Sequence, residues 1–563
     1  NATRGFSWNL GDDTGLKHYY IDTNVENGRT YYYALTAYDR GDPDRDIFPA
    51  ESPFSITILD NGETRTDQNT VRVIPSPNTA GYVSPDDNGS VEHISGPADG
   101  SIDYQIVDEK NSAGHTYLVQ FEDISDDGID NDGDWDPVTD DLNGNGKPDS
   151  NEPHVDKNDP DEFWPIQTTN YSVKDVYEFE EEFFVEDTLK FVKIGHQNLD
   201  PETIVVEDES GNVLNSNAYD IDLKAGRIRP NTDDPAKEMQ TGKTYTIKYK
   251  YFPDYKSTKI GLIQSDEDEG KLFDTDLFDG TLLSFNNYNT VAKIDTASGW
   301  NFPNGYDYTF SILNIPVLNL YGRRTPHDFR IDFFDSIVEN SLDTLGTASK
   351  PVNFTVTNTL TNKRIKFIFF TPSSTPNESG WYDLIPQSQL YFFEEGPEDK
   401  LYYTWNMQFF LKEHQEQINF QEGDKLDIIV SKPFQHADEF MFTTTVPTIN
   451  NEKAANELEN ITVVPNPYVV AHAHEAPLPP NKTSGRGERK ITFNHVPQDA
   501  KIYIFTVSGG HVVTIENDNT DPFDGSMSWN LKNKYNLDIA YGVYFYVVES
   551  SLGTKKGKIA IIK

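Results

Sequence analysis

Short runs of β-branched and aromatic residues, closed off every few positions by Gly, Pro, Asn or Asp, recur from one end of this chain to the other. Examples are 30–38 (TYYYALTAY), 55–59, 116–121, 203–207, 244–251, 364–370 and 542–548. Branched and aromatic side chains suit a pleated, half-buried surface, and the bounding residues supply the turn geometries between strands. Helical periodicity over eleven or more residues is scarce: the best candidates, 451–459 and 411–417, are both short. The pattern predicts an all-β chain of several β-sandwiches in series.

Composition narrows the class further. At roughly 150 residues per domain, 563 residues correspond to about four domains. Lys and Arg total 47 against 92 Asp and Glu, a net charge of −45. Nucleic-acid affinity comes largely from basic residues neutralising phosphates, so nucleic acid is excluded as a partner. The same charge disfavours anionic membrane surfaces and favours cations. Acidic disordered chains are poor in aromatics, whereas 13% of this chain is Phe, Trp or Tyr, so it folds. No apolar run approaches the roughly eighteen residues of a membrane span, so no transmembrane segment is expected. Cys is absent, which removes disulfides, thiolate metal sites and cysteine nucleophiles. The opening Asn1-Ala-Thr-Arg-Gly has no initiator Met and no basic-then-apolar leader after it, which predicts a cleaved piece of a longer precursor.

The sharpest motif is Asp141-Leu-Asn143-Gly-Asn145-Gly146-Lys147-Pro-Asp149-Ser-Asn-Glu152. Oxygen ligands fall at positions 1, 3, 5 and 9 of a twelve-residue loop. Gly146 stands at 6, the Lys147 carbonyl at 7, and Glu152 at 12 can bind with both oxygens. Alternate residues are needed because such a loop curls around its ion and turns odd-numbered side chains inward. Just upstream, Asp130, Asp132, Asp134 and Asp136 form a second alternating acidic run. Crowded carboxylates repel one another, and a divalent ion removes that repulsion. Ca2+ is therefore the expected cofactor, with the second ion near 130–136. Pro148 at position 8 and the lack of flanking helices depart from the EF-hand. The segment resembles the calcium loops of dockerins and thrombospondin type 3 repeats.

Domain organisation follows from the strand runs. Residues 1–77 carry HYYIDTNV, NGRTYYYALTAYDRGD and ESPFSITIL, which resemble the last strands of a fibronectin type III domain. With the opening strands of that sandwich missing, an open edge and an uncovered apolar face are expected. A β domain with the calcium-loop insertion (124–162) is expected over 78–181. A small β domain follows at 182–255, either free-standing or inserted in a larger sandwich, and then a large β-sandwich at 256–450. Seven strand-like pieces in 459–563 suit an immunoglobulin-like sandwich. That last domain contains Val463-Val-Pro465-Asn466-Pro467-Tyr468, Lys490-Ile-Thr-Phe493, Ser528-Trp529-Asn530-Leu531, Tyr541-Gly542-Val543-Tyr544-Phe545-Tyr546 and a basic final strand to Lys563. It resembles the C-terminal sorting domain of type IX secretion cargo in Bacteroidetes and related phyla. The resemblance implies export to the outer cell surface or beyond.

Catalytic signatures are missing: there is no GxSxG, HExxH or GxxxxGK[ST]. His472 and His474 share one face if extended and could bind Zn2+, but lack an identifiable third ligand. Trp381, Tyr382, Tyr402, Tyr403 and Trp405 could stack on sugars, although at such density aromatics usually form sandwich core. The expected function is that of a secreted, calcium-stabilised cell-surface protein with a structural or adhesive role, such as a subunit of an extracellular filament or sheath, and not an enzyme. The alternative is a carbohydrate-binding or accessory region of an exported hydrolase. Expected partners are further copies of the chain, completing the open first sandwich, and surface glycans.

Overall fold

The computed structural model describes residues 2–3, 6–7, 20–37, 52–59, 64–86, 91–121, 136–144, 146–147, 171–233, 236, 238–255, 271–288, 290, 292–294, 297–313, 322, 324–343, 346–396, 400–413, 416–469 and 489–562. These are nearly all strand and turn, and every ladder but one is antiparallel. Two compact units are present: Asn1–Pro85 with Glu109–Ser112 and Val446–Lys563, and Asp86–Asp108 with Ala113–Thr445.

The second unit holds three sandwiches. In the first, a five-stranded sheet orders Asp254–Tyr255, Tyr171–Asp175, Thr116–Phe121, Glu439–Thr443 and Glu92–Ser95. It faces a sheet of Lys271–Asp274, Thr281–Asn287 and Ser101–Ile106. Period-two burial makes this possible: Ile102, Tyr104 and Ile106 point inward from one strand, and Tyr117, Val119 and Phe121 from another.

Strand pairing crosses the boundaries expected at 181 and 255. Val173 pairs with Asp254, so the chain from 176 to 253 leaves and re-enters between two neighbouring strands of one sheet. That inserted stretch has its own core between Phe179–Val185, Lys243–Tyr249 and Val205–Glu207 on one side and Val192–Lys193, Arg227–Pro230 and Tyr219–Asp222 on the other. The block expected at 256–450 is divided as well. Its last strand, Thr448–Ile449, pairs with Tyr82–Val83, while Lys271–Asp274, Thr281–Asn287 and Glu439–Thr443 belong to the host sandwich. Between them lies the largest sandwich, with a Phe-rich core that includes Trp405 and Phe329. One of its sheets orders Gly299–Trp300, Lys425–Ile428, Phe329–Phe333, Phe354–Asn358 and Lys363–Arg364. The other orders Asp307–Ser311, Leu401–Phe410, Gln389–Glu395 and Lys366–Phe370.

In the first unit, residues 461–562 form two sheets around Trp529, Ile502, Ile504 and Tyr546. The smaller sheet orders Thr462–Val464, Ile491–Asn494 and Met527–Trp529. The larger orders Tyr468–Val469, Gly553–Ile562, Gly542–Ser550, Lys501–Thr506 and His511–Glu516. The final strand, expected at 558–562, begins at Gly553, because a tight turn at Ser551-Leu552 extends the hairpin with the preceding strand. Tyr468–Val469 joins the edge in parallel with Ile561–Ile562. Asn451–Glu457 is helical, as the sequence pattern suggests, and Asn450 caps it by accepting from the Lys453 amide. The other short helix candidate, 411–417, is not helical in its described residues.

The early residues differ from a sandwich half. Tyr31–Ala34 pairs with Thr70–Val73, Ile56–Ile58 with Thr64–Thr66 and Ala2–Thr3 with Phe6–Ser7, as separate two-stranded ladders. The strand expected at 30–38 spans only Tyr31–Ala34. Among the described residues of 20–77 no apolar side chain is buried, and Leu35, Phe54 and Val71 are more than half exposed.

Candidate metal loop and surrounding polar clusters

Residues 136–147 begin with a closed turn. The Asp136 carbonyl accepts from the Thr139 and Asp140 amides, and its carboxylate accepts from the Val138 amide at 2.8 Å. Asp140 is buried and returns the contact, its Oδ2 accepting from the Asp136 amide at 2.9 Å. Next, Asp141 Oδ1 accepts from the Gly144 amide at 2.5 Å and Oδ2 from the Gly146 amide at 2.8 Å. Gly144 and Gly146 both take left-handed backbone, φ +76° and +73°, which lets the chain bend back over the first acidic residue. Thus the carboxylate at position 1 gathers the amides of positions 4 and 6.

Apolar packing contributes little here: Val138 and Leu142 are 88% and 69% exposed. Asp136, Asn143 and Lys147 lie at the surface, and Asp141 is half-buried. The other residues singled out as ligands, Asn145, Asp149, Glu152, Asp130, Asp132 and Asp134, lie outside the described residues, as do His472 and His474. Among the described residues no three His, Asp or Glu side chains converge as a metal centre would need. Asp141 is an oxygen donor of the type Ca2+ takes, and so is the Lys147 carbonyl.

Sequence reasoning did not find a polar cluster where the inserted sandwich joins its host. His115 Nδ1 lies 2.7 Å from Asp175 Oδ2, and the Tyr177 amide donates to Asp175 Oδ1 at 2.8 Å. Asp175 is fully buried, and burial raises its pKa above the ordinary 3.8 despite these partners. Tyr117 and Tyr251 both donate to Asp279 Oδ2, at 2.9 and 3.1 Å; burial, followed by the Asp279 charge, raises both phenols. Across the junction His196 stacks on Tyr251 with centroids 4.1 Å apart, and its Nδ1 lies 2.8 Å from the Tyr249 hydroxyl. Burial lowers the His196 pKa. Each piece alone reads as an ordinary polar residue in a strand or turn, so only the pairing of distant strands reveals the cluster.

Three further His–carboxylate pairs occur among the described residues, one of them His495 with Glu457 at 3.2 Å. Asp438 lies 3.2 Å from His93 and accepts from the Ala98 and Gln435 amides. Glu394 accepts from Thr325 at 2.7 Å and from Asn358 at 3.2 Å, and lies 2.6 Å from His327. Both carboxylates tie loops to strands. The aromatics considered for sugar stacking divide by depth. Trp405 and Tyr403 are core, while Trp381 and Tyr382 are half-buried, Trp381 Nε1 donating to Asp383 at 3.1 Å. Trp405 Nε1 donates to Thr325 Oγ1 at 2.8 Å, inside the sandwich.

No family model matches the chain, and no curated protein matches it. Two solved structures are similar over part of it. One is PorZ, described as an essential bacterial surface component of the type IX secretion system of Porphyromonas gingivalis. It is 12% identical, with 45% of this chain and 40% of that chain covered and a TM-score of 0.15. The other is dimeric latent PorU from Porphyromonas gingivalis, 10% identical, with 45% and 34% covered and a TM-score of 0.13. The chain therefore spans well under half the length of either, and likenesses at these scores assign neither family nor activity.

Proposed function

We propose that this chain is part of a secreted, calcium-stabilised cell-surface protein with a structural or adhesive role, exported by a type IX-like route and without catalytic function. The observation that carries the calcium reading is the curl of 141–146, with Asp141 drawing in the Gly144 and Gly146 amides at the first, fourth and sixth loop positions. A loop rich in carboxylates, with its apolar residues exposed, needs another source of order, and a divalent cation bound by Asp141, Asn143, Asn145, Lys147 carbonyl, Asp149 and Glu152 supplies it. Asp130, Asp132, Asp134 and Asp136 would hold the second ion. Export rests on the motifs of 463–563 together with the two-sheet sandwich into which they fold. Association with further copies, as in a filament or sheath, is supported by the two-stranded ladders of 20–77 and their exposed apolar side chains.

Chelation tests the reading. Removing calcium with EGTA should lower the melting temperature and open the 124–162 segment to protease, and added Ca2+ should reverse both. Asp141→Ala should weaken the response. Unchanged melting and proteolysis after chelation would overturn the calcium reading. Light scattering on the same calcium-loaded samples should show growth with concentration, and a monomer at every concentration would overturn the polymer.

A further inference from the structure

We propose that the outer face of the four-stranded sheet in the largest sandwich binds a neutral oligosaccharide. Alternation fixes which side chains meet there. Phe367 and Phe369, Leu390 and Phe392, and Met407 and Phe409 point into the core. Their neighbours along each strand therefore point outward. Register then lines up Thr309, Gln408, Gln389 and Phe370 in one row across the sheet. In the next row Asn406, Tyr391 and Ile368 are buried, Ile368 and Tyr391 in a cluster against which Leu342 packs, so the open part of this face is the first row. Phe410 flanks the first row, opposite Asp307.

A shallow depression of about 660 Å3 lies over this end of the sheet, lined by Phe370, Pro372, Gln387, Gln389, Gln408 and Phe410 with Thr371 and Tyr391. That volume falls within the range of small-ligand sites. None of these residues is charged, in a chain that is 25% charged. An anion or cation would find no counter-charge in the lining, so the ligand is neutral. Among the described residues the side-chain amides of Gln387 and Gln408 have no hydrogen-bond partner, and Gln389 uses only its Oε1, accepting from Tyr391 at 2.9 Å. An amide offers a donor and an acceptor side by side, matching the paired donor and acceptor character of neighbouring sugar hydroxyls. Phe370 and Phe410 are more than a third exposed and offer apolar ring surface for the C–H faces of a sugar. Gln387 sits at φ +70°, a left-handed conformation uncommon outside glycine, in the turn that brings it to the rim. From Gln408 to Phe370 is two strand spacings, roughly 10 Å, which suits a short oligosaccharide.

The inference deepens the adhesive part of the proposed function and rests on it. The test is titration calorimetry on the full chain in excess calcium with cellotetraose, xylotetraose, laminaritetraose and mannotetraose. Trigalacturonic acid and an eight-residue Thr/Val peptide serve as comparisons. At least one neutral tetrasaccharide should bind saturably, and Gln408→Ala and Phe410→Ala should each weaken it at least about tenfold with melting temperature unchanged. Neutral sugars that fail to bind, a preference for the uronate or the peptide, or full binding by both variants would overturn this site. Since calcium is saturating throughout, none of those failures bears on the calcium loop. Sugar binding that survives both variants would leave adhesion standing and remove only this face.

Discussion

A single missing side chain holds one junction of the first unit closed. Gly81 has φ +80°, and a Cβ there would come within 2.5 Å of the Asn450 carbonyl oxygen and 2.6 Å of Ala454 Cβ. Its amide donates to Glu457 Oε2 at 2.8 Å, and its carbonyl accepts from the Asn450 amide. Gly81→Ala combines backbone strain with overlap against a capped helix. It should cost roughly 2–4 kcal/mol in urea unfolding, and a loss under 1 kcal/mol would refute the clash. His196 gives a pH dependence of definite sign. Burial sets its folded pKa below the ordinary 6.5, with the Glu181, Asp279 and Asp175 charges opposing the shift. Its contribution to stability is thus fully present above about pH 6.5 and is lost as pH falls through the folded value. Asp175 has the opposite sign: its pKa is raised, so its contribution is present below 3.8 and lost as pH rises through the folded value. The His196 effect is therefore read as pH falls from neutral through about 6.5 toward its folded value. His196→Phe, which keeps a ring against Tyr251, should flatten the decline in thermal stability over that window. Parallel pH profiles for the two proteins would refute the assignment.

At the scale of elements, the C-terminal sandwich takes in a short segment from far upstream. Thr79 and Ala80 are buried; the Thr79 amide donates to the Phe523 carbonyl at 2.9 Å, and Thr79 Oγ1 donates to the Val496 carbonyl at 2.9 Å. The Gly525 amide donates to the Pro77 carbonyl, and Tyr82 meets Phe523 edge-on at 5.5 Å. Backbone groups of the sandwich are thus satisfied by residues more than 400 positions away in sequence. Residues 446–563 expressed alone should fold as a β-rich protein, since their own core is continuous around Trp529 and Ile502. A peptide of residues 74–85 should then raise the melting temperature. A molten or helical product, or indifference to the peptide, would contradict this account. The sequence resemblance pointed to an autonomous domain and gave no sign of this segment, because 77–83 has no strand-like alternation of its own.

For the second unit as a whole, the governing relation is insertion. The stretch 176–253 begins and ends at adjacent strands, with the Asp175 amide donating to the Tyr251 carbonyl at 3.1 Å. Ends this close can be joined by a short turn, so the host does not depend on the insert for its connectivity. Replacing 177–252 with Asn-Gly should leave the host and the largest sandwich folded by near-ultraviolet circular dichroism. Stability should fall somewhat, because Tyr251 no longer donates to Asp279 and Tyr177 no longer stacks on His115. Loss of all tertiary signal would mean that the insert supports the host core. The insert's core residues, among them Ile228, Ile247 and Val206, belong to a separate cluster, which favours the first outcome.

Alternating runs such as 101–106 and 116–121 set strand class and facing direction from short-range preferences alone. These were legible because each depends on residues a few positions apart. The choice of partners was not. Thr116 sits opposite Thr443, 327 positions on, and no local pattern distinguishes that pairing from one with a nearer strand. Burial of Asp175, Asp438 and Glu394 is hidden for the same reason, since each is enclosed by elements that arrive from elsewhere in the chain. The row of Gln389 and Gln408 beside Phe370 is likewise assembled from three strands whose register the sequence does not state. Backbone preference and side-chain alternation act over a few residues and decide that this chain is all-β. Which sandwich each strand joins is decided by long-range packing and hydrogen-bond satisfaction, which only the tertiary structure expresses.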